Sequence, residues 1–277
     1  RQKMNLEFLF WFFLIGIILS VIQDLKRREI DIWLCNILLI GGITFTILFS
    51  IINSSINPLI NLTIALLITF ILRIVLYNSR VFAGGDARLL FSLGALFVGS
   101  TISLTLINIS VYLMILLFSG GIYGLLALMV IYIRNFKKTN KNLKPKLKKI
   151  KYHLFLLASI VLMVIGIFVD LLFIIGILLS IYPLLYLFAK TLEEELMISN
   201  KKISQLQEGD WLAETVKVGN KKIEYSWDGL EKEDIALIKR YKKFVKVKQG
   251  LPFAPSFLLA HILYWVFGKT IIVFLTI

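Results

Sequence analysis

The stretch Ser20-Val21-Ile22-Gln23-Asp24-Leu25-Lys26-Arg27-Arg28-Glu29-Ile30-Asp31-Ile32-Trp33 joins two apolar runs. One run extends from about Asn5 to Gln23 and the other from Ile32 to Ile52. Each has about the twenty residues that a helix needs to cross a hydrocarbon layer. A short basic joint between two such runs reads as a helical hairpin. Its turn faces the cytoplasm, where Lys and Arg resist translocation.

The rest of the chain repeats this logic. Of 277 residues, 58% are hydrophobic and only 17% charged, with a mean hydropathy of +0.84. A soluble domain of that length cannot hide so much apolar surface, so the excess belongs in lipid. The spacing predicts an all-α polytopic membrane protein of about eight spans. The third runs over Leu59–Tyr77, with Arg73 near its end, where a long side chain can snorkel to the interface. A short fourth span covers Ala87–Gly99, and a fifth covers Leu104–Ile133, with a break expected at Ser119-Gly120-Gly121. After a basic stretch, Arg134–Lys151, the block His153–Ala189 is too long for one span. An ionised Asp170 near its middle would cost about 2.5–3.5 kcal/mol at the centre of a span. A hairpin turning at Asp170, with spans His153–Val169 and Leu171–Ala189, avoids that cost. Lys190–Gly250 carries charges of both signs, turn sequences at Glu208-Gly209-Asp210 and Asp228-Gly229, and alternation in Trp211–Val216. It reads as a small cytoplasmic α+β module with a helix near Lys232–Lys243. Pro252–Ile277 makes the last span. The first run lacks a small-x-small cleavage site and reads as a retained span rather than a secretory signal.

The net charge of +14 does not indicate a nucleic-acid partner, because the basic residues cluster between apolar runs. With residues 24–31 at the cytoplasmic face, every basic loop falls on that side and the N-terminus lies outside. The single cysteine, Cys35, excludes an internal disulfide and any Cys-x-x-Cys site, and reads as a small core residue.

Two acidic residues then stand at inner helix ends, Asp24 and, in Phe82-Ala83-Gly84-Gly85-Asp86-Ala87-Arg88-Leu89-Leu90, Asp86. Paired carboxylates about 3 Å apart cannot both ionise and share one proton, which suits them to activate water and polarise a peptide carbonyl. Gly84 and Gly85 beside one partner would let a substrate backbone approach and permit unusual dihedrals. A juxtamembrane Asp is commonly just a solvated helix end, and Lys26-Arg27-Arg28 is first a topology signal. Physics alone leaves hydrolysis one reading among several.

The sequence resembles a family at these two places. Asp24-Leu25-Lys26-Arg27-Arg28-Glu29-Ile30, followed by Trp33, resembles the first motif of type IV prepilin peptidases and archaeal preflagellin peptidases. Gly84-Gly85-Asp86-Ala87-Arg88-Leu89-Leu90 with Gly94-Ala95-Leu96 resembles their second, Gly-x-Gly-Asp motif, shared in outline with presenilin-like proteases. Ala83 replaces the first Gly, and Arg88 stands where many members have Lys. The resemblance implies that Asp24 and Asp86 are catalytic, with Gly84, Gly85, Lys26, Arg28, Glu29 and Arg88 as supporting motif residues. It implies a membrane aspartyl endopeptidase that removes a short basic leader from pilin-like or archaellin precursors, cutting after a Gly and before a hydrophobic helix. It covers roughly residues 15–100. Glu208–Leu212 and Gly250-Leu251-Pro252-Phe253-Ala254-Pro255 are similar to an extension of archaeal members. Many bacterial members also N-methylate the product and carry a cysteine-rich N-terminal segment. With one cysteine, this chain is expected to lack that segment and methyltransferase activity.

The expected organisation is therefore a catalytic membrane domain (1–134), a basic loop (135–152), a hairpin (153–189), a module (190–251) and a last helix (252–277). Partners are the leader-bearing precursors and the lipid bilayer, and neither a metal nor an organic cofactor is required. Glu29 and Glu193-Glu194-Glu195 offer acidic groups to a basic leader, although solvated charge runs explain them more simply. A His-Glu-x-x-His zinc site is excluded by the two distant histidines, His153 and His261. A serine protease on Ser119-Gly120 and His261 lacks the required Gly, because Leu117 occupies that place; a Ser-Gly pair is more often a close-packing site. A phospholipid head-group transferase matching Asp86-Ala87-Arg88 would need further carboxylates to hold metal, and residues 89–133 contain none. A non-enzymatic scaffold or transporter leaves the paired motifs unexplained. His261 reads as an interhelical residue, and Phe10-Trp11-Phe12-Phe13 as packing or lipid-facing.

Overall fold

The computed structural model describes residues 6–136, 139, 152–168, 170–196, 198–206, 209–219, 221–224, 229–248 and 250–276. The expected basic loop lies almost wholly outside them. Two compact units are present, Arg1–Gly124 with Pro252–Ile277, and Leu125–Leu251.

The first unit begins with α1 (Leu6–Arg27), α2 (Ile32–Ile52) and α3 (Asn57–Asn78). These match the first three expected spans to within a turn. After them come α4 (Gly84–Ser92), a 3-10 turn (Gly94–Phe97) and α5 (Ile102–Arg134). The C-terminal helix of the chain also packs in this unit. Leu9, Phe13, Ile17, Leu38, Leu89, Leu90, Leu93 and Tyr112 form its core, while Trp11, Ile15, Ile40 and Phe118 point outward. Apolar residues inside and apolar residues outside are what lipid as solvent permits. Small residues let the helices close up. A Cβ on Gly42 would lie 2.6 Å from Ala95 and 2.9 Å from Phe13. Buried hydroxyls turn back on their own helices, Ser20 donating to Gly16 O at 2.9 Å and Thr69 to Ala65 O at 2.8 Å.

The fourth expected span is not a spanning helix. α4 has nine residues, about 14 Å at 1.5 Å per residue, and gives way to the 3-10 turn. The segment nevertheless runs antiparallel along α3. Gly84 sits beside Tyr77, Gly94 beside Leu66 and Thr69, and Gly99 O accepts from Asn61 Nδ2 at 2.8 Å. Looser winding covers more distance per residue and leaves backbone groups without helical partners. Side chains supply them: Asn108 Nδ2 donates to Phe97 O (3.1 Å), and Gly99 N donates to Thr105 Oγ1 (3.0 Å). Irregular backbone is tolerable among apolar groups only when protein satisfies it.

The break expected at Ser119-Gly120-Gly121 is absent, since α5 is continuous for 33 residues. Gly120 instead packs on Phe253, where a Cβ would lie 2.8 Å from the ring. A helix interior tolerates glycine at about 1 kcal/mol, far less than unpaired backbone costs in an apolar setting.

In the second unit, α6 (Tyr152–Ile165) and α7 (Asp170–Leu196) form the hairpin turning at Asp170. α7 runs beyond Ala189 to Leu196, so it takes the charged stretch into the helix. Strands β1 (Ile198–Lys202), β2 (Trp211–Leu212) and β5 (Phe244–Lys248) form an antiparallel sheet in the order β1-β5-β2. β3 (Val216–Val218) and β4 (Lys221–Ile223) pair as a hairpin. Helix α8 (Lys232–Tyr241), opened by a reciprocal Glu231/Asp234 capping box, covers a core of Ile203, Leu212, Val245 and Val247. The last helix, α9 (Ala254–Thr276), returns to the first unit.

Among the described residues, Glu7–Arg27, Ile32–Ile52, Asn57–Asn78 and Ile102–Arg134 are long and apolar enough to cross a membrane. Leu154–Ile165, Leu171–Tyr182 and Ala254–Gly268 are apolar but shorter.

Candidate active site

Asp24 lies one turn before the end of α1. The helix stops because Arg28 takes a left-handed conformation (φ 61°), while its N–H still donates to Asp24 O at 2.9 Å. A non-glycine residue there costs about 1 kcal/mol, and the tie back to Asp24 helps to offset it. The connection to α2 is clasped by Asp31. Its N–H donates to Gln23 Oε1 at 2.9 Å, and its carboxylate accepts from Arg27 (2.6 Å) and Trp33 Nε1 (3.0 Å). The Arg27 hydrogen bond holds this exposed carboxyl below the ordinary range.

Asp86 is the third residue of α4, whose N-cap is Ala83. From that place a carboxylate reaches back to the N-cap backbone, and the Ala83 N–H donates to it. α3 ends by the same device as α1, with Arg80 at φ 61° and the Val81 and Phe82 amides donating to Leu76 O. Both aspartates thus stand within six residues of a chain reversal at an arginine.

The two carboxyl groups are buried, Asp24 7% and Asp86 8% exposed. They come from segments separated by α2 and α3, yet the charge of Asp24 acts on Asp86. Burial first, and that charge second, push Asp86 up to about 7 from an ordinary 3.8. Asp24 is held from an unforeseen direction. The backbone N–H of Ala254, the first residue of α9, donates to Asp24 Oδ2 at 2.9 Å. The Phe253 peptide is a second backbone partner. The Phe253 ring also lies tilted against Phe82 (5.1 Å between centroids), which is four residues before Asp86. The start of α9 therefore touches both motifs.

The supporting residues separate into two groups. Gly85 packs on the joint after α1, where a Cβ would come within 3.4 Å of Ile30 N and Cβ. Gly84 has only ordinary neighbours, and neither glycine has the unusual dihedrals expected, because both wind the first turn of α4. Arg28 bears electrostatically on Asp24. Lys26 and Glu29 are exposed, and Arg88 donates from Nε to Gly84 O at 3.0 Å. The side chains of Glu193, Glu194 and Glu195 lie outside the described residues.

Ser119 and His261 do not form a nucleophile–base pair. Ser119 Oγ is buried without a hydrogen-bond partner, and His261 Nε2 bonds Phe10 O at 3.0 Å while its ring stacks on Phe10. Cys35 is buried at 4% exposure, as expected for a core residue.

Sequence reasoning missed Ala254 and Tyr123 of α5, which lies within electrostatic reach of Asp24. Pro255 marks a helix start, but no local pattern pairs that start with a residue 230 positions earlier.

Comparison with curated proteins gives no match, and comparison with solved structures gives none. Residues 11–129 match the type IV leader peptidase family. The matched region holds most of α1, all of α2 to α4, both aspartates and most of α5, and ends before α9. Over residues 11–129, the chain is similar to the type IV leader peptidase family.

Proposed function

We propose that this chain is a membrane aspartyl endopeptidase whose catalytic pair is Asp24 and Asp86. The supporting observation is that two buried carboxylates, one from each motif, are close enough for one charge to act on the other. In such a pair, the member holding the proton polarises the scissile carbonyl. The ionised member accepts a proton from the attacking water. The raised Asp86 gives it the first role, and Asp24, held by the Ala254 N–H, takes the second.

The substrates are precursors with a short basic leader, a Gly before the cut and a hydrophobic helix after it, of the archaellin or pilin-like kind. Such a helix partitions into the bilayer while the scissile bond stays at its edge. The basic joints support a cytoplasmic position for that edge, with the N-terminus outside, in a multi-pass cell membrane protein. The activity is that of an archaeal-type peptidase without methyl transfer. A scaffold would not need two buried acids within electrostatic reach of each other.

The test is cleavage of a panel of archaellin-type and pilin-type precursors by membranes containing wild type, Asp24→Asn or Asp86→Asn. Wild type should cut after the leader Gly, and both variants should be expressed and inactive. Near-normal cutting by either variant would remove that residue from the pair.

A further inference from the structure

Helix α4 has a second face. Asp86 points into the core, whereas Gly84, Ala87 and Arg88 recur at helical spacing on the other side. There they meet the end of α3 around a cavity of about 400 Å³ lined by Phe70, Arg73, Tyr77, Asn78, Ala87 and Arg88. We propose that this cavity is a phosphate-binding site, filled by the headgroup of an anionic membrane lipid.

Charge comes first. Two guanidinium groups line one cavity, and among the described residues neither has a carboxylate within ion-pair distance. Uncompensated like charges at the edge of an apolar layer are costly, and an anion between them removes the cost. Each guanidinium is also held in place. Arg73 lies 6.0 Å from the Phe70 ring and 5.8 Å from the Phe91 ring, and Arg88 is fixed through Nε to Gly84 O. The terminal amino groups of Arg88 remain available, and a guanidinium fork matches phosphate oxygens.

The walls select the rest of the ligand. Arg73 stands about 7 Å before the end of α3 at 1.5 Å per residue, with apolar Phe70 below it and Tyr77 and Asn78 above. That order, from apolar through cationic to polar, is the order of a phospholipid from acyl chain to headgroup. It also excludes a basic leader, which two arginines repel. The cavity is large enough for a headgroup, because ligand sites begin at about 300 Å³.

The test reads binding and needs no turnover, so it stands or falls apart from the peptidase reading. Purified protein is exchanged into nanodiscs of phosphatidylcholine doped with phosphatidylglycerol, and retained lipid is measured by native mass spectrometry. Wild type should retain phosphatidylglycerol preferentially, and Arg73→Gln should lower that retention about tenfold, the scale of one charge-assisted contact. Asn78→Asp, a near-isosteric change at the exposed rim, should lower it severalfold with both arginines intact. Equal retention by wild type and both variants would overturn the site. Displacement of the lipid by millimolar inorganic phosphate would overturn the lipid as its occupant.

Discussion

Asp86 shows how position within a helix sets chemistry. As the third residue of α4 it receives the Ala83 N–H and the favourable end of the helix dipole, both of which favour the ionised form. Burial and the Asp24 charge outweigh them and carry it to about 7. A folded-state value above the unfolded one means that folding takes up a proton. The contribution of Asp86 to stability is therefore full below about pH 4 and is lost as pH rises through about 7. Activity should follow the same titration if Asp86 holds the proton. Cleavage by the detergent-solubilised enzyme should fall on an alkaline limb with a midpoint near pH 7, a property of the pair rather than of one residue. A rate that stays flat well beyond that midpoint would show that the pair does not lose its working proton near pH 7. The sequence made both aspartates legible, because each closes a motif at the end of an apolar run. The burial that sets their behaviour was not legible, since it comes from chain far away.

At the scale of elements, the hairpin α1–α2 and helix α3 could be read from apolar length and basic joints. The sequence of Ala87–Gly99 points to a spanning helix, and the structure has the end of a short helix and a 3-10 turn there. Hydropathy reports that residues are apolar, and not whether Asn61, Thr105 and Asn108 stand ready to satisfy a loosened backbone. Helix α9 was likewise legible as an apolar segment, while its place at the site was not. Its first residue, Ala254, acts through a backbone N–H that any residue except proline possesses. Proline is well tolerated at the first position of a helix, so Ala254→Pro removes the donor with little cost to α9 itself. A hydrogen bond to a charged group is worth about 1.5–3 kcal/mol, and cleavage should fall roughly ten- to a hundredfold at unchanged protein level. Ala254→Ser keeps the N–H and should cut like wild type. Equal rates for the proline and serine variants would show that Asp24 does not depend on this contact.

The whole molecule divides differently from its family match. The match ends at residue 129, yet the first compact unit closes only when Pro252–Ile277 returns to it. That return supplies the Ala254 N–H to Asp24, the Phe253 and Phe257 rings against Phe82, and the carbonyl-bound His261 against Phe10. These contacts bury Phe82 to 5% exposure and leave Phe257 and Ala260 fully buried. A chain ending at Leu251 would keep every residue of both motifs and lose the cover over them. Asp24 would then face solvent or lipid without its donor, and Phe82 would lose the rings that fix the approach to Asp86. Such a truncated chain should insert into membranes and fail to cut a leader-bearing precursor. Co-expression of residues 250–277 as a separate helix should restore cutting, because the contacts are side-by-side packing and one hydrogen bond rather than a covalent tie. Full activity of the truncated chain alone would place the whole site within residues 11–129 and reduce α9 to an anchor.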